Sequence, residues 1–294
     1  MEHISLAAEK IGQVGFLPIT NTLIVSWIIV IVLAVLGYMA GKNVHMVPSG
    51  LQNLFESILE PLWDMTREMA HARARTFFPI IATFFLYILL ANWFGLFPGF
   101  GTIGFWETKK VEPKAISQEQ LATGQPGAES KEAGTSAQQN LAGSAVTQTS
   151  IAEAPHTERT FVPFFRSLNA DLNMTLGLAL ASVVITHILA LRFLGFWGYI
   201  SKWISLNPIM LFVGLLELVS EGTKVLSLSL RLFGNIFAGE VVLSTISNLL
   251  AFIAPLPFYF LEIIVGVVQA AVFMLLTLVF MTLLSEKHVG AEEH

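Results

Sequence analysis

The chain has 294 residues, of which 54% are hydrophobic and 13% charged, with a net charge of −5 and no cysteine. A soluble domain carries about 25% charged residues, so this shortage, set beside long apolar runs, predicts a membrane protein. The acidic balance argues against nucleic-acid binding, and the lack of cysteine excludes disulfides, zinc–thiolate sites and thiol catalysis.

A helix needs about 20 mainly apolar residues to cross a hydrocarbon core of about 30 Å. Residues 22–40 meet this. The run is too long for the apolar region of a signal peptide and its flank carries Glu2 and Glu9, so it is expected to be a retained span. The stretch from Gly37 to Asn43 resembles a phosphate loop, but it is one residue short and lacks the Ser/Thr. The chain is therefore not expected to bind ATP itself. Residues 51–71 are amphipathic: Leu51, Leu54, Phe55, Ile58, Leu62 and Met65 recur at helical spacing opposite Glu56, Glu60, Asp64 and Arg67. Such a helix lies on the membrane surface or against a partner.

Residues 77–97 form a second span. Residues 107–159 are rich in Gly, Ser, Ala, Gln and Thr, and predict a disordered external loop, a tolerated insertion. A third span covers 174–194. Residues 209–254 contain no proline. One continuous helix of that length would measure about 68 Å, so it must be tilted, bent or divided, with Gly222, Gly234 and Gly239 as bend points. Residues 257–284 can span with tilt. Lys42, Arg67, Arg73, Arg75, Arg192, Lys202 and Lys287 all fall on one side of five such spans. That places the N-terminus outside and the C-terminus in the cytoplasm. The expected fold is all-α and polytopic, a single membrane domain over 1–294. It has about five to six helices counting the surface helix, and its C-terminal hairpin, 206–285, is long and strongly tilted.

Arg231 lies near the middle of the proline-free run, where an arginine costs about 2.5–3.5 kcal/mol on the lenient insertion scale. With successive residues turning by about 100°, Glu217, Ser220, Lys224, Ser227 and Asn235 fall within about 40° of Arg231. This polar stripe covers about 27 Å of helix rise. Hydrogen bonding between helices explains the serines, but three charged groups on one face point to an aqueous or ion-exchange surface. Glu240 points the opposite way, about 13.5 Å along the axis from Arg231, and implies a second polar route. Glu262 and Gln269 share a face of the last span, so Glu240, Glu262 and Gln269 are expected to line one half-channel. For Gln269 alone an ordinary interhelical hydrogen bond serves as well. Asp171 and Asn173 suit a helix N-cap and a channel mouth equally. His187 is expected to be a packed, hydrogen-bonding residue despite its suitability as a proton shuttle.

The segment Ser227-Leu-Ser-Leu-Arg231-Leu-Phe-Gly-Asn235-Ile-Phe-Ala-Gly-Glu240 closely resembles the signature of the a subunit of F-type ATP synthases. Asn92-Trp-Phe-Gly-Leu-Phe-Pro98, Asp171-Leu-Asn173-Met-Thr175 and Gln269-Ala-Ala-Val-Phe-Met274 agree in the expected order. The resemblance implies a stator in a bacterial inner membrane, beside a ring of c subunits that each carry a mid-membrane carboxylate, with b-type peripheral stalk subunits as further partners. It implies no catalytic site, cofactor or metal in this chain. Arg231 would hold the ionised ring carboxylate and separate two half-channels. Asn235, Glu240 and Gln269 would lie on the inlet side; Glu217, Ser220, Lys224 and Ser227 on the cytoplasmic exit side. Glu262 stands where many members have His, so two carboxylates near one path favour a shared proton. Val225 stands where Pro is common, and the external loop is unusually long. The coupling ion is expected to be the proton. A secondary transporter would show paired internal repeats, and an intramembrane enzyme a His-Glu-x-x-His or Gly-x-Ser-x-Gly motif. Neither pattern is found.

Overall fold

The structure, a computed structural model, describes residues 10–14, 17–42, 44–97, 103–110, 157–203, 208–249 and 253–286. The chain divides into two compact units, Met1–Gly104 with Pro163–His294 and the smaller Phe105–Val162.

The larger unit is built from helices α1 (Asn21–Lys42), α2 (Leu51–Ala70), α3 (Ala74–Gly95), α4 (Leu172–Trp203), α5 (Pro208–Leu249) and α6 (Pro255–Ser285). A short antiparallel pair, β1 (Lys10–Val14) and β2 (Leu17–Thr20), precedes α1. Among the described residues five helical stretches are long and apolar enough to cross a membrane, so the fold is that of an all-α, polytopic membrane protein. In the smaller unit the described residues are two paired strands, β3 (Gly104–Lys110) and β4 (Thr157–Pro163). They take up both ends of the predicted loop 107–159; its remainder lies outside the described residues.

The core lies among α3, α4, α5 and α6. Phe77, Ile81 and Ile88 of α3 pack with Phe273, Met274, Leu278 and Met281 of α6, and with Leu228 and Leu232 of α5. Lipid tails are as apolar as these side chains, so close packing and hydrogen bonds must hold the helices together. Asn92 Nδ2 donates to the Gly266 carbonyl at 3.0 Å, and Trp93 Nε1 to the Ile263 carbonyl at 3.3 Å. A Cβ on Gly266 would stand 3.1 Å from Asn92 Cβ, so this small residue permits the approach. Ser182 and Thr277 hydroxyls pair at 2.9 Å between α4 and α6.

Helix α1 buries only a stripe, Asn21, Thr22, Val25 and Ile29. Its polar end is tied down: Thr22 Oγ1 donates to Asp171 Oδ2 at 3.0 Å, and the Ser26 and Tyr87 hydroxyls pair at 2.8 Å. The amphipathic segment is helical as expected (α2). It buries Leu62, Thr66 and Ala70, while Leu51, Leu54 and Met65 remain exposed apolar surface.

Helix α5 runs for 42 residues without a break, so of the three ways to house the proline-free run, division at a glycine does not occur. Its length, about 63 Å, still exceeds a bilayer core twofold. The interruption falls in α4 instead. Gly195 has φ 75° and ψ 166°, a conformation essentially confined to glycine. This kink folds the end of α4 back, so that the Tyr199 hydroxyl reaches Nδ1 of His187, twelve residues earlier, at 2.9 Å. In a straight helix those residues would be separated by about 18 Å of rise.

Replacing Gly195 with alanine is expected to destabilise the protein by about 1–3 kcal/mol, the cost of forcing a side chain into that backbone region. Thermal unfolding of the detergent-solubilised protein measures this; Gly177→Ala, where a Cβ would meet nothing within 4 Å, is the control.

Candidate ion-translocation site

The functional candidates collect along α5. Arg231 sits at the middle of the stretch Gly214–Ser247 that is long and apolar enough to cross a membrane. Its side chain is exposed on the outer face of α5 and donates from Nη2 to Ser227 Oγ at 3.3 Å. No carboxylate among the described residues forms an ion pair with it. Ser220 and Ser227 share this open face, which is otherwise apolar, with Leu226 and Leu230 also exposed. Of the predicted stripe, Ser220, Ser227 and Asn235 stand exposed with Arg231, whereas Lys224 departs from it by turning inward.

On the C-terminal side of Arg231 the stripe meets α6. Asn235 Nδ2 donates to Gln269 Oε1 at 2.7 Å, joining the two helices. Gln269 and Glu262 are both buried on α6. The Glu262 carboxylate occupies the space that a Cβ on Gly239 would fill, so the glycine makes room for the acid. Glu240 follows Gly239; its Oε2 is shielded from solvent and makes no hydrogen bond to the described residues. The structure thus brings Asn235, Glu262 and Gln269 to one seam, while Glu240, about 180° round α5 from Arg231, is turned toward the segment before α4. One charge here is not evident from periodicity. Arg166, buried in the segment before α4, is the cation whose field acts on Glu240. It lies outside every helix, where no helical wheel could find it.

Asp171 and Asn173 part company. Asp171 is 2% exposed; its Oδ1 accepts from the Asn173 backbone N–H at 3.0 Å and its Oδ2 from Thr22. That is N-cap geometry with a tether to α1 added. The Asn173 side chain is exposed and lines a cavity of about 200 Å³ together with Tyr87, Asn169 and Met174. Asn169 donates in turn to Asn92 Oδ1 at 2.6 Å.

On the N-terminal side of Arg231, Glu217 is half-buried. Lys224 turns inward, pairing with Glu221 Oε1 at 2.5 Å and lying 4.9 Å from the Phe280 ring centre. Glu221 is 8% exposed and is absent from the sequence-derived stripe, because it stands about 80° round the helix from Arg231. The signal that finds it is its i,i+3 spacing to Lys224. Its Oε2 lies 3.7 Å from Nε2 of His187.

Two outcomes test this geometry. Cysteines placed at Asn235 and Gln269, in a chain that has no other thiol, are expected to join through a short bifunctional thiol reagent, whereas Leu230 with Gln269 is not; gel mobility reports the cross-link. Asp171→Ala is expected to cost about 1–2 kcal/mol through loss of the cap, read as lower thermal stability, and Asp171→Asn is expected to recover most of it.

The family model described as ATP synthase A chain matches residues 23–282. The chain is similar to a protein named ATP synthase subunit a from Syntrophobacter fumaroxidans, 29% identical over 274 residues that cover 92% of this chain and 83% of the relative. A protein of the same name from Citrifermentans bemidjiense is 29% identical over 277 residues, covering 92% and 91%. One named ATP synthase subunit a 2 from Syntrophotalea carbinolica is 28% identical over 291 residues, covering 97% and 94%. The apolar spans, the arginine on α5 and the match over nearly the whole length agree: the chain belongs to the ATP synthase A chain family, whose members are subunits of the membrane sector of F-type ATP synthases.

Proposed function

We propose that this chain is the stationary half of a proton-driven rotary motor, offering two half-channels to the carboxylates of a c-subunit ring. The observation that carries the proposal is Arg231: a permanent cation, at mid-span, on an exposed face, with no carboxylate among the described residues paired to it. A charge there is expensive in lipid, so the face requires a cover that supplies negative charge. A ring carboxylate supplies it. Held in a site where water cannot screen it, the guanidinium favours the ionised carboxylate and keeps the two half-channels from joining.

Asn235, Glu240, Glu262 and Gln269 form the inlet half-channel, a reading supported by the convergence of Asn235, Glu262 and Gln269 on the α5–α6 seam. Asp171 and Asn173 lie at its mouth, with a cavity of about 200 Å³ beside Asn173. Glu217, Ser220, Lys224 and Ser227 form the exit toward the cytoplasm. With five crossings the N-terminus lies outside a bacterial inner membrane and the C-terminus inside. The b-type stalk subunits hold the chain still while the ring turns. One charge falling through 100 mV releases about 2.3 kcal/mol, too little to form ATP, so several protons pass for each ATP made.

Arg231→Ala is expected to abolish ATP-driven proton pumping in inverted membrane vesicles, with immunoblots showing the complex assembled. Pumping at the native rate in that variant would sink the proposal and return the stripe to helix packing.

A further inference from the structure

Away from the open face of α5, a second polar cluster is buried between α4 and α5. Glu221 carries two partners, one on each carboxylate oxygen: Lys224 Nζ at 2.5 Å on Oε1 and His187 Nε2 at 3.7 Å on Oε2. Nδ1 of the same imidazole meets the Tyr199 hydroxyl at 2.9 Å. Four side chains thus form a line, Lys224–Glu221–His187–Tyr199. Packing alone explains it poorly. The Lys224–Glu221 pair balances its own charge and needs no histidine. Tyr199 reaches His187 only because Gly195 takes a backbone conformation closed to other residues.

The position along α5 gives the line a use. Lys224 belongs to the stripe that leads away from Arg231, and Glu221 stands ten residues before Arg231, about 15 Å along the axis. We propose that His187 and Glu221 form a proton-carrying station on the exit side, leading from the stripe through the α4–α5 interface. The proposal rests on the half-channel arrangement above. In one transfer a proton leaves Glu221 Oε2 and adds to Nε2 of His187. The Nδ1 proton then passes to the Tyr199 oxygen while the hydroxyl proton passes to a solvent water molecule, Tyr199 being part-exposed. The imidazole ends neutral in its other tautomer, and no oxidant or reductant takes part. The 3.7 Å gap is longer than a hydrogen bond, so a small rotation of either side chain or one bridging water completes the first step.

The charges acting on His187 are those of Glu221, Lys224 and Glu217, all from α5. From α4 itself Tyr199 faces it, while Arg192, five residues on, is exposed and about 140° round the helix. Arg73, from the turn between α2 and α3, sits 5.4 Å from the Phe193 ring centre. Helix α6 presents Phe280 here; its titratable residues Tyr259 and Glu262 lie about 27 Å or more along the axis.

The test is ATP-driven proton pumping by the complete complex in inverted vesicles, whose outer medium is the cytoplasmic side, at outer pH values spanning about 5 to 8, where a histidine changes charge. His187→Gln and Glu221→Gln are each expected to slow pumping about tenfold or more, the scale of one lost acid–base group, and His187→Gln to flatten the pH profile. Glu221→Asp is expected to restore much of the rate. Should Glu221→Gln fail to assemble, His187→Gln, which leaves the α5 charges in place, decides alone. Native rate and native pH profile in assembled His187→Gln overturn the station, as does a lower rate with the profile unmoved, the mark of a packing role. If Arg231→Ala still abolishes pumping in the same series, only the station falls. If Arg231→Ala pumps normally, the half-channel arrangement falls first and the station with it.

Discussion

A guanidinium held halfway through an apolar crossing is the constraint on which the rest of this architecture turns. Arg231 cannot retract along the helix, because it sits at the centre of the crossing, and no described residue gives it a carboxylate. Everything behind it serves to hold that charge at one depth. Leu228, Leu232 and Ile236 bury the flank of α5 about 60–140° round from Arg231, and Asn235 fastens the helix to α6 one turn further on. Helix α6 is in turn fastened to α3 through backbone carbonyls of Ile263 and Gly266. Bonds to backbone carbonyls suit a membrane interior, where the alternative for Asn92 or Trp93 is an unsatisfied donor.

The crossings are legible in the sequence because run length against bilayer thickness is a one-dimensional test. The Arg231 stripe is legible because helix geometry turns spacing into direction. What stays hidden needs a second element to define it. Glu221 reads as an off-stripe acid until His187 arrives from α4. Gly239 reads as a bend point until Glu262 fills the space beside it. The kink at Gly195 is hidden for a different reason: a glycine inside a helical pattern does not declare its φ, and this one ends a third span that composition alone stops at residue 194. The strands β3 and β4 lie within a compositionally loop-like stretch, where pairing rather than residue type makes the strand.

Glu262 and Gly239 show how a seam between two helices makes room for a charged group. A glycine on one helix admits a carboxylate from the other, while the acid next in sequence keeps an oxygen that no described residue satisfies. Buried polar atoms are costly to leave unmade, and in this fold they gather where the helices also have the least side-chain bulk. The same trade holds at Gly266, where the missing side chain lets a hydrogen bond form across the interface.

The tether between Thr22 and Asp171 has a bearing on how the protein comes to be built. The two residues are 149 positions apart, and a chain made at about 5–20 residues per second needs about 7–30 s to cover that distance. During that interval the first helix has emerged from the ribosome, but the carboxylate that anchors its polar end has not yet been synthesised. Its companion bond, from Ser26 to Tyr87, closes after 61 residues, so α3 captures α1 first and α4 locks it later. The long segment between α3 and α4 sets the delay between those two events, and thus the time for which a half-fastened first helix remains exposed to the insertion and quality-control machinery.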